Sequence, residues 1–249
     1  MASLSLLSID DLLAYYVQNN PDADIPPSSS LSISAHGDMS LLHHLRINLS
    51  YPALELVHAS PPIFLINNFL SEKLCTQTIK YALNGRGMLT GRSKTFGSVS
   101  TVRSSTSWFL QRSDVKELLQ QAEALLGISM LHFEVAQVAR YMPGQEYSWH
   151  LDYIPSSSSE PNNRVATLLV YLNSPDGGGG ETCFRDLGVS ITPTIGKALL
   201  FFPCFNSGIP DFRTIHNSTE ATDIKYIAQL WVRKHEFTEP EAWPPILVV

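Results

Sequence analysis

His150-Leu151-Asp152 carries the strongest chemical signal in this 249-residue chain. In an extended strand, side chains at i and i+2 leave the same face, so the spacing predicts an imidazole and a carboxylate projecting together. Two donors do not complete a metal site. The third is expected from His216, in Thr214-Ile215-His216, placed by the pattern at the end of a strand. Two imidazoles and one carboxylate on one side of a metal leave the opposite positions open, the donor set of a non-haem Fe(II) centre. A bare His-x-Asp triplet also fits a surface or hydrogen-bonded histidine, so the elements around it must decide.

Those elements read as mainly β with flanking helices. Residues 53–59 and 63–69 are strand-like runs separated by Pro61-Pro62. Ser71 is expected to cap a helix to about Leu83, with Glu72 in the first turn and Leu74, Ile79 and Leu83 as its apolar stripe. Residues 84–101 hold Gly85, Gly87, Gly91 and Gly97 among polar residues and read as a mobile lid loop. A strand over 102–110 and a second helix from Ser113 to Leu126, ended by Gly127, follow. The pattern then turns to β. Residues 133–141 alternate, and 164–172 are apolar on both faces and so central. Residues 177–180 form a turn, and shorter runs at 181–184, 191–193, 198–202, 213–216 and 225–232 complete the set. Short strands at regular spacing with turn signals predict a sandwich or barrel.

The first 52 residues read as an extension to a domain spanning residues 53–249. Within it, residues 5–18 look like a short amphipathic helix built on Ile9, Leu12, Leu13 and Tyr16, and residues 21–30 like a linker. His36, His43 and His44 are read as surface or packing histidines, because adjacent side chains on a strand point apart. The tail over 239–245 is Pro-rich and expected on the surface.

Bulk properties narrow the function. Hydrophobic residues make up 44% of the chain, enough for a sizeable core. The formal net charge of −6 argues against a nucleic-acid partner, which would call for a basic face. Cys75, Cys183 and Cys204 are odd in number and lack Cys-x-x-Cys spacing, which argues against a disulfide framework or a thiolate zinc site and for free thiols in a reducing compartment. The N-terminus lacks the basic region of a signal peptide, and no apolar run is long enough to span a bilayer. A cytoplasmic protein, monomeric or dimeric and without a membrane partner, is expected.

From about Leu54 to Lys234 the chain resembles the prolyl 4-hydroxylase family of Fe(II)- and 2-oxoglutarate-dependent dioxygenases. The resemblance lies in the order and spacing of Phe64-Leu-Ile-Asn-Asn-Phe-Leu-Ser71, Val102-Arg-Ser-Ser105, Tyr147-Ser-Trp-His-Leu-Asp152, the run 164–172, and Gly179-Gly-Glu-Thr-Cys-Phe184. It continues through Pro193 with residues 196–202, and His216 followed by Lys225 and Trp231. It implies a double-stranded β-helix (jelly-roll) core and His150, Asp152 and His216 as iron ligands. Open metal positions would take a bidentate 2-oxo acid and O2. It further implies that Lys225 pairs with the far carboxylate of 2-oxoglutarate and that Thr182 and Tyr141 hydrogen-bond this co-substrate, with ascorbate as an accessory reductant. A lysine opening a largely apolar strand is either a solvated strand start or a buried cation in need of a partner. Arg213 and Arg233 are alternative anion binders.

Substrate contacts implied by the resemblance are Glu134, Tyr147, Arg164 and Trp231, with Arg103 and Ser105 near the glycine-rich loop. Tyr147 and Trp231 are expected to wall a slot for a proline ring. The polar loop 155–163 reads as a second lid. Arg233 departs from a histidine often found two residues after the tryptophan in peptide-hydroxylating members. The implied activity is hydroxylation of an unactivated C–H bond, with a prolyl residue as leading substrate, and release of succinate and CO2. Hydroxylation or oxidative ring closure of a free amino acid or other small molecule is the alternative. A zinc hydrolase or a metal-binding jelly-roll module without catalysis would use the same ligands differently.

Overall fold

The computed structural model of the chain describes residues 47–86, 88–90, 94–95, 98–99, 105–153, 163–205 and 208–238. Strands β1 (Leu54–Ala59) and β2 (Pro62–Ile66) pair antiparallel. The Ser71 hydroxyl accepts the Leu74 amide at 3.3 Å and so caps helix α1 (Glu72–Tyr81). Glu72 in the first turn and Lys80 in the last both suit the helix dipole. The helix runs into a single π-helical turn over Ala82–Arg86 instead of stopping at Leu83.

The segment expected as a mobile loop contains strand structure. Strands β3 (Met88–Thr90), β4 (Lys94–Thr95) and β5 (Ser98–Val99) lie in it. Strand β3 pairs with β6 (Thr106–Leu110), while β4 and β5 form a two-stranded ribbon. Glycines mark turns, and strands of two or three residues between turns are too short to show a period.

A 3-10 turn over Arg112–Val115 leads into helix α2 (Lys116–Leu126), which therefore begins after Ser113. Gly127, at φ +62°, closes the helix as expected, its amide donating to the Glu123 carbonyl at 2.9 Å. Strand β7 (Ala136–Tyr141) starts three residues later than the alternation suggests, because Met130–His132 is a 3-10 turn and Phe133 makes only an isolated bridge to Val232. The remaining strands are β8 (Tyr147–His150), β9 (Arg164–Tyr171), β10 (Thr182–Phe184), β11 (Val189–Ile191), β12 (Ala198–Phe201), β13 (His216–Ser218) and β14 (Lys225–Arg233). The strand expected over 213–216 is instead a 3-10 turn, Phe212–Thr214, capped by Asp211. His216 thus opens a strand rather than ending one.

Strands β1-β2-β12-β9-β14-β7-β6-β3 form one antiparallel sheet, and β11-β10-β13-β8 form a second. The central strands of the larger sheet, β9 and β14, are buried on both faces. Along β9, Ala166, Leu168 and Val170 join Leu118, Leu119, Ala122 and Leu126 of α2 in the outer core. Leu169 and Tyr171 point the other way and meet Phe184 and Ile191 of the smaller sheet, with Tyr141, Leu199 and Phe201 beside them. Period-2 alternation thus sorts one strand into two cores, and each fully buried Leu side chain stabilises by about 1.5–3 kcal/mol. Two facing antiparallel sheets with helices on one outer face are the expected jelly-roll. The space between the sheets receives every inward residue of the larger one, including Thr167, Lys225 and Trp231.

The chain packs on this core from Ile47 onward: the Asn48 amide donates to the Leu125 carbonyl at 2.8 Å, and Tyr51 bonds Gln121. The expected helix over 5–18, the linker over 21–30, His36, His43, His44, Arg103, the lid over 155–162 and the 239–245 tail lie outside the described residues. Among the described residues no helix is long and apolar enough to cross a membrane.

Candidate active site

His150 and His216 are direct cross-strand partners on β8 and β13. Antiparallel register therefore brings together two imidazoles far apart in sequence. Their ring centroids lie 4.2 Å apart at 55°. Asp152 arrives differently from the i, i+2 expectation. Strand β8 ends at His150, and a bend carries the Asp152 carboxylate, 4% exposed, to the Nε2 edges of both rings. Its Oδ1 is 3.7 Å from His150 Nε2 and its Oδ2 is 3.9 Å from His216 Nε2. One donor atom from each of the three residues lies within 4.8 Å of the others.

The donor chemistry fits a divalent metal. His150 Nδ1 lies 2.8 Å from the Ser148 carbonyl and His216 Nδ1 lies 3.0 Å from that of Thr214. A carbonyl accepts only from a protonated nitrogen, so each neutral ring keeps its proton on Nδ1 and presents the Nε2 lone pair to the centre. Thr167, facing Trp231 across β9 and β14, donates its hydroxyl to Asp152 Oδ2 at 2.8 Å. Burial alone would raise the Asp152 carboxyl. His216, His150 and Arg164, with the Trp231 indole, outweigh it and hold the group at about 2. The anionic ligand is thus ionised at neutral pH.

Lys225 opens β14 opposite Tyr141 on β7, and it is buried, at 1% exposure. The solvated strand start is excluded. Its Nζ donates to the Gly180 carbonyl at 2.7 Å and to the Ser218 hydroxyl, and sits 4.6 Å from the centre of the Tyr141 ring. Gly180, at φ +72°, leaves room for this stem: a Cβ there would stand 3.0 Å from Lys225 Cδ. Thr182 on β10 accepts from the Tyr171 hydroxyl at 2.8 Å, which leaves its own O–H to donate. The two acceptors of the Lys225 ammonium are neutral groups, and the Glu181 carboxylate also interacts with it; an anion entering here would be drawn to the same buried cation. Of the alternative anion binders, Arg213 is held by Asp211 at 2.6 Å and by the Ser60 hydroxyl at 3.0 Å, and Arg233 by Glu134 at 2.6 Å.

Of the residues expected at the substrate end, Glu134, Arg164 and Trp231 meet one another, Tyr147 pairs across the strands with Ser218, which holds Lys225, and Arg103 lies outside the described residues. Tyr147 stacks on the His150 ring at 3.5 Å and 15°. Trp231 lies under the Arg164 guanidinium, 3.8 Å from its ring centre. Arg164 holds Glu134 through two parallel bonds, Nε to Oε1 at 2.7 Å and Nη2 to Oε2 at 2.9 Å. Ser105 is fully buried. Reading the sequence missed Thr167, Ser218 and Tyr171, and did not anticipate that Arg233 shares Glu134. A hydroxyl within the apolar run 164–172 was a readable signal for Thr167, whereas the other three depend on cross-strand register.

The facing sheets, the His-Asp-His cluster between them and a buried lysine farther along the same space define a metal-centred jelly-roll. Residues 136–233 match the model of the 2OG-Fe(II) oxygenase superfamily. The chain is 30% identical over 208 residues to prolyl 4-hydroxylase 1 of Arabidopsis thaliana, covering 72% of this chain and 71% of the relative. It is 31% identical over 153 residues to prolyl 4-hydroxylase subunit alpha-2 of Gallus gallus, covering 57% of this chain but only 28% of that subunit's length. Among solved structures, the 2OG complex of the viral collagen prolyl hydroxylase from Paramecium Bursaria Chlorella virus-1 superposes with a TM-score of 0.57 at 28% identity, over 69% of this chain and 95% of that one. The chain belongs to the prolyl 4-hydroxylase-like 2OG-Fe(II) oxygenases, a family of 2-oxoglutarate-dependent dioxygenases.

Proposed function

We propose that this chain hydroxylates a prolyl residue, with Fe(II) held by His150, Asp152 and His216 and 2-oxoglutarate anchored at Lys225. The observation that carries the reading is the placement of three convergent donors and a buried ammonium in one space between the sheets. Iron, when bound, supplies the activation of O2 that converts 2-oxoglutarate to succinate and CO2 and places one oxygen atom in the substrate.

The chain's own residues do the rest. His150 and His216 present Nε2 because their Nδ1 protons are held by backbone carbonyls. Asp152 supplies the anionic ligand, oriented by Thr167. Lys225 neutralises the far carboxylate of the co-substrate, and Thr182 and Tyr141 offer it hydroxyl donors. Tyr147 and Trp231 offer aromatic surface to a rigid apolar ring, and Arg164 with Glu134 closes that end. Burial of these groups keeps water from the centre.

The test is anaerobic addition of Fe(II) and 2-oxoglutarate, which should give the weak visible charge-transfer band of the chelate. Admission of O2, with ascorbate keeping iron ferrous, should then give succinate that rises with a proline-containing peptide. A band with only slow, peptide-independent succinate would move the substrate to a small molecule. No band would count against the metal and co-substrate assignments together.

A further inference from the structure

Gln229 stands on β14 after Lys225 and before Trp231, and period-2 alternation turns all three side chains to the inner face. Its cross-strand neighbours are Leu169 on β9 and Gln137 on β7. Leu169 and Ile227 belong to the inner core with Phe201, whose ring centre lies 4.7 Å from that of His216. Trp231, the next inward residue, faces Thr167, which holds Asp152. Gln229 thus lies between the row of residues that holds Asp152 and the row opened by Lys225.

The side chain is buried, at 2% exposure, and its Oε1 has no hydrogen-bond partner among the described residues. A buried acceptor left unsatisfied costs stability, and native interiors hold few of them. An apolar side chain of the same length would fill this place without that cost. Two of the molecules that enter this space cannot satisfy the oxygen. 2-Oxoglutarate offers two carboxylates and a keto oxygen, all acceptors, and O2 carries no hydrogen. The primary substrate is the organic molecule left to bring a donor.

We infer that Gln229 is a substrate-binding residue whose carbonyl oxygen accepts an N–H borne at or beside the ring to be hydroxylated. The inference rests on the prolyl reading above only for the identity of that ring. The nitrogen of a prolyl residue within a peptide carries no hydrogen. The nearest donor is then the amide N–H of the residue that follows it. In free proline the donor is the ring ammonium. Either N–H offers the same chemistry to the same oxygen, and the experiment separates the two sources.

Isothermal titration calorimetry on the full chain, with Fe(II) and 2-oxoglutarate under nitrogen, reads binding without turnover. The first pair of probes is a peptide containing Pro-Ala and the same peptide with the amide after the proline replaced by an ester, which deletes that N–H. Both are repeated with Ala in place of the target Pro. The second pair is proline and tetrahydrofuran-2-carboxylate, whose ring oxygen replaces the nitrogen. In one pair the N–H compound should bind about tenfold tighter, and Gln229→Met, nearly equal in length, should bring that ratio to about one. The Met variant should melt no lower than the parent, because it removes an unsatisfied polar atom. An amide with a merely structural role would instead lower the melting temperature and leave the ratio as it was. Gln229→Asn, which withdraws the oxygen by one methylene, should also lose the preference and serves if the Met variant does not fold. A preference confined to the free acids would support the acceptor and move the substrate to a small molecule. A ratio of about one in both pairs, or a ratio that neither variant changes, would overturn the inference. An N–H preference with equal binding of the Pro and Ala peptides would sink the prolyl reading alone. Binding of none of these probes would overturn both.

Discussion

His150 and His216 face each other across the β8–β13 ladder with ring centroids 4.2 Å apart, and each ring's Nδ1 lies on the carbonyl two residues before it. The same local device on two strands fixes both tautomers. The Nε2 atoms therefore converge on the side where Asp152 lies, and metal chemistry needs no rearrangement of either ring.

Removing the carboxylate should abolish this convergence. Asp152→Ala is expected to lower Fe(II) affinity by more than about 100-fold, beyond the loss typical of an outer partner. Succinate formation should fall to background. Anaerobic Fe(II) titration and a succinate assay measure the two effects, and full turnover in the variant would show that the ligand set is wrong.

Thr167→Val is nearly isosteric and deletes only the hydroxyl that donates to Asp152 Oδ2. Fe(II) affinity should fall about tenfold, with stability changed by about 1 kcal/mol and the KM for 2-oxoglutarate little altered. Unchanged iron affinity would mean that the bend after β8 positions Asp152 unaided.

Lys225→Ala leaves the Gly180 carbonyl and Ser218 hydroxyl without their buried cation. The KM for 2-oxoglutarate should rise by roughly 10–100-fold, the worth of a charge-assisted contact. Iron binding in the absence of 2-oxoglutarate should persist. A co-substrate requirement equal to that of the parent would move the anchor to an arginine.

Gly180→Ala tests the same anchor from the backbone. The new Cβ would stand 3.0 Å from Lys225 Cδ and 3.2 Å from Ala221 Cβ, at φ +72°. A loss of about 1–2 kcal/mol is expected by chemical denaturation, with a higher KM for 2-oxoglutarate and unaltered Fe(II) affinity. A silent substitution would show that the ammonium has slack.

Burial pushes the Cys75 thiol up to about 11 and the Cys204 thiol up to about 12, from an ordinary value of 9.0. A raised pKa favours the protonated thiol in the folded state. The associated stability is fully present below the unfolded value and is lost as pH rises through about 11 to about 12. Thiol titration at pH about 8 should label only the half-buried Cys183 quickly, the other two reacting after denaturation. Rapid labelling of all three would contradict the buried placements.

Much of the β architecture was legible because it follows from local pattern. Residues 164–172 read as a central strand because they are apolar at every step, and Ser71 and Gly127 marked helix ends through cap chemistry that needs only neighbouring residues. Short elements were not legible. The 3-10 turn before His216 and strands β3 to β5 span too few residues to show a period, and the expected lid loop proved to hold strands. His150, Asp152 and His216 could be chosen from residue type and spacing, yet the reason given for Asp152 differed from the one observed. A bend and the Thr167 hydroxyl place it, not strand alternation. Whether Lys225 was solvated or buried, which neutral groups it bonds, and that Arg164 and Arg233 would meet on one Glu134 carboxylate were matters of tertiary structure. Each depends on cross-strand register between segments distant in sequence, set by the packing of both faces of the larger sheet, and a local reading of residue types carries no information about such register.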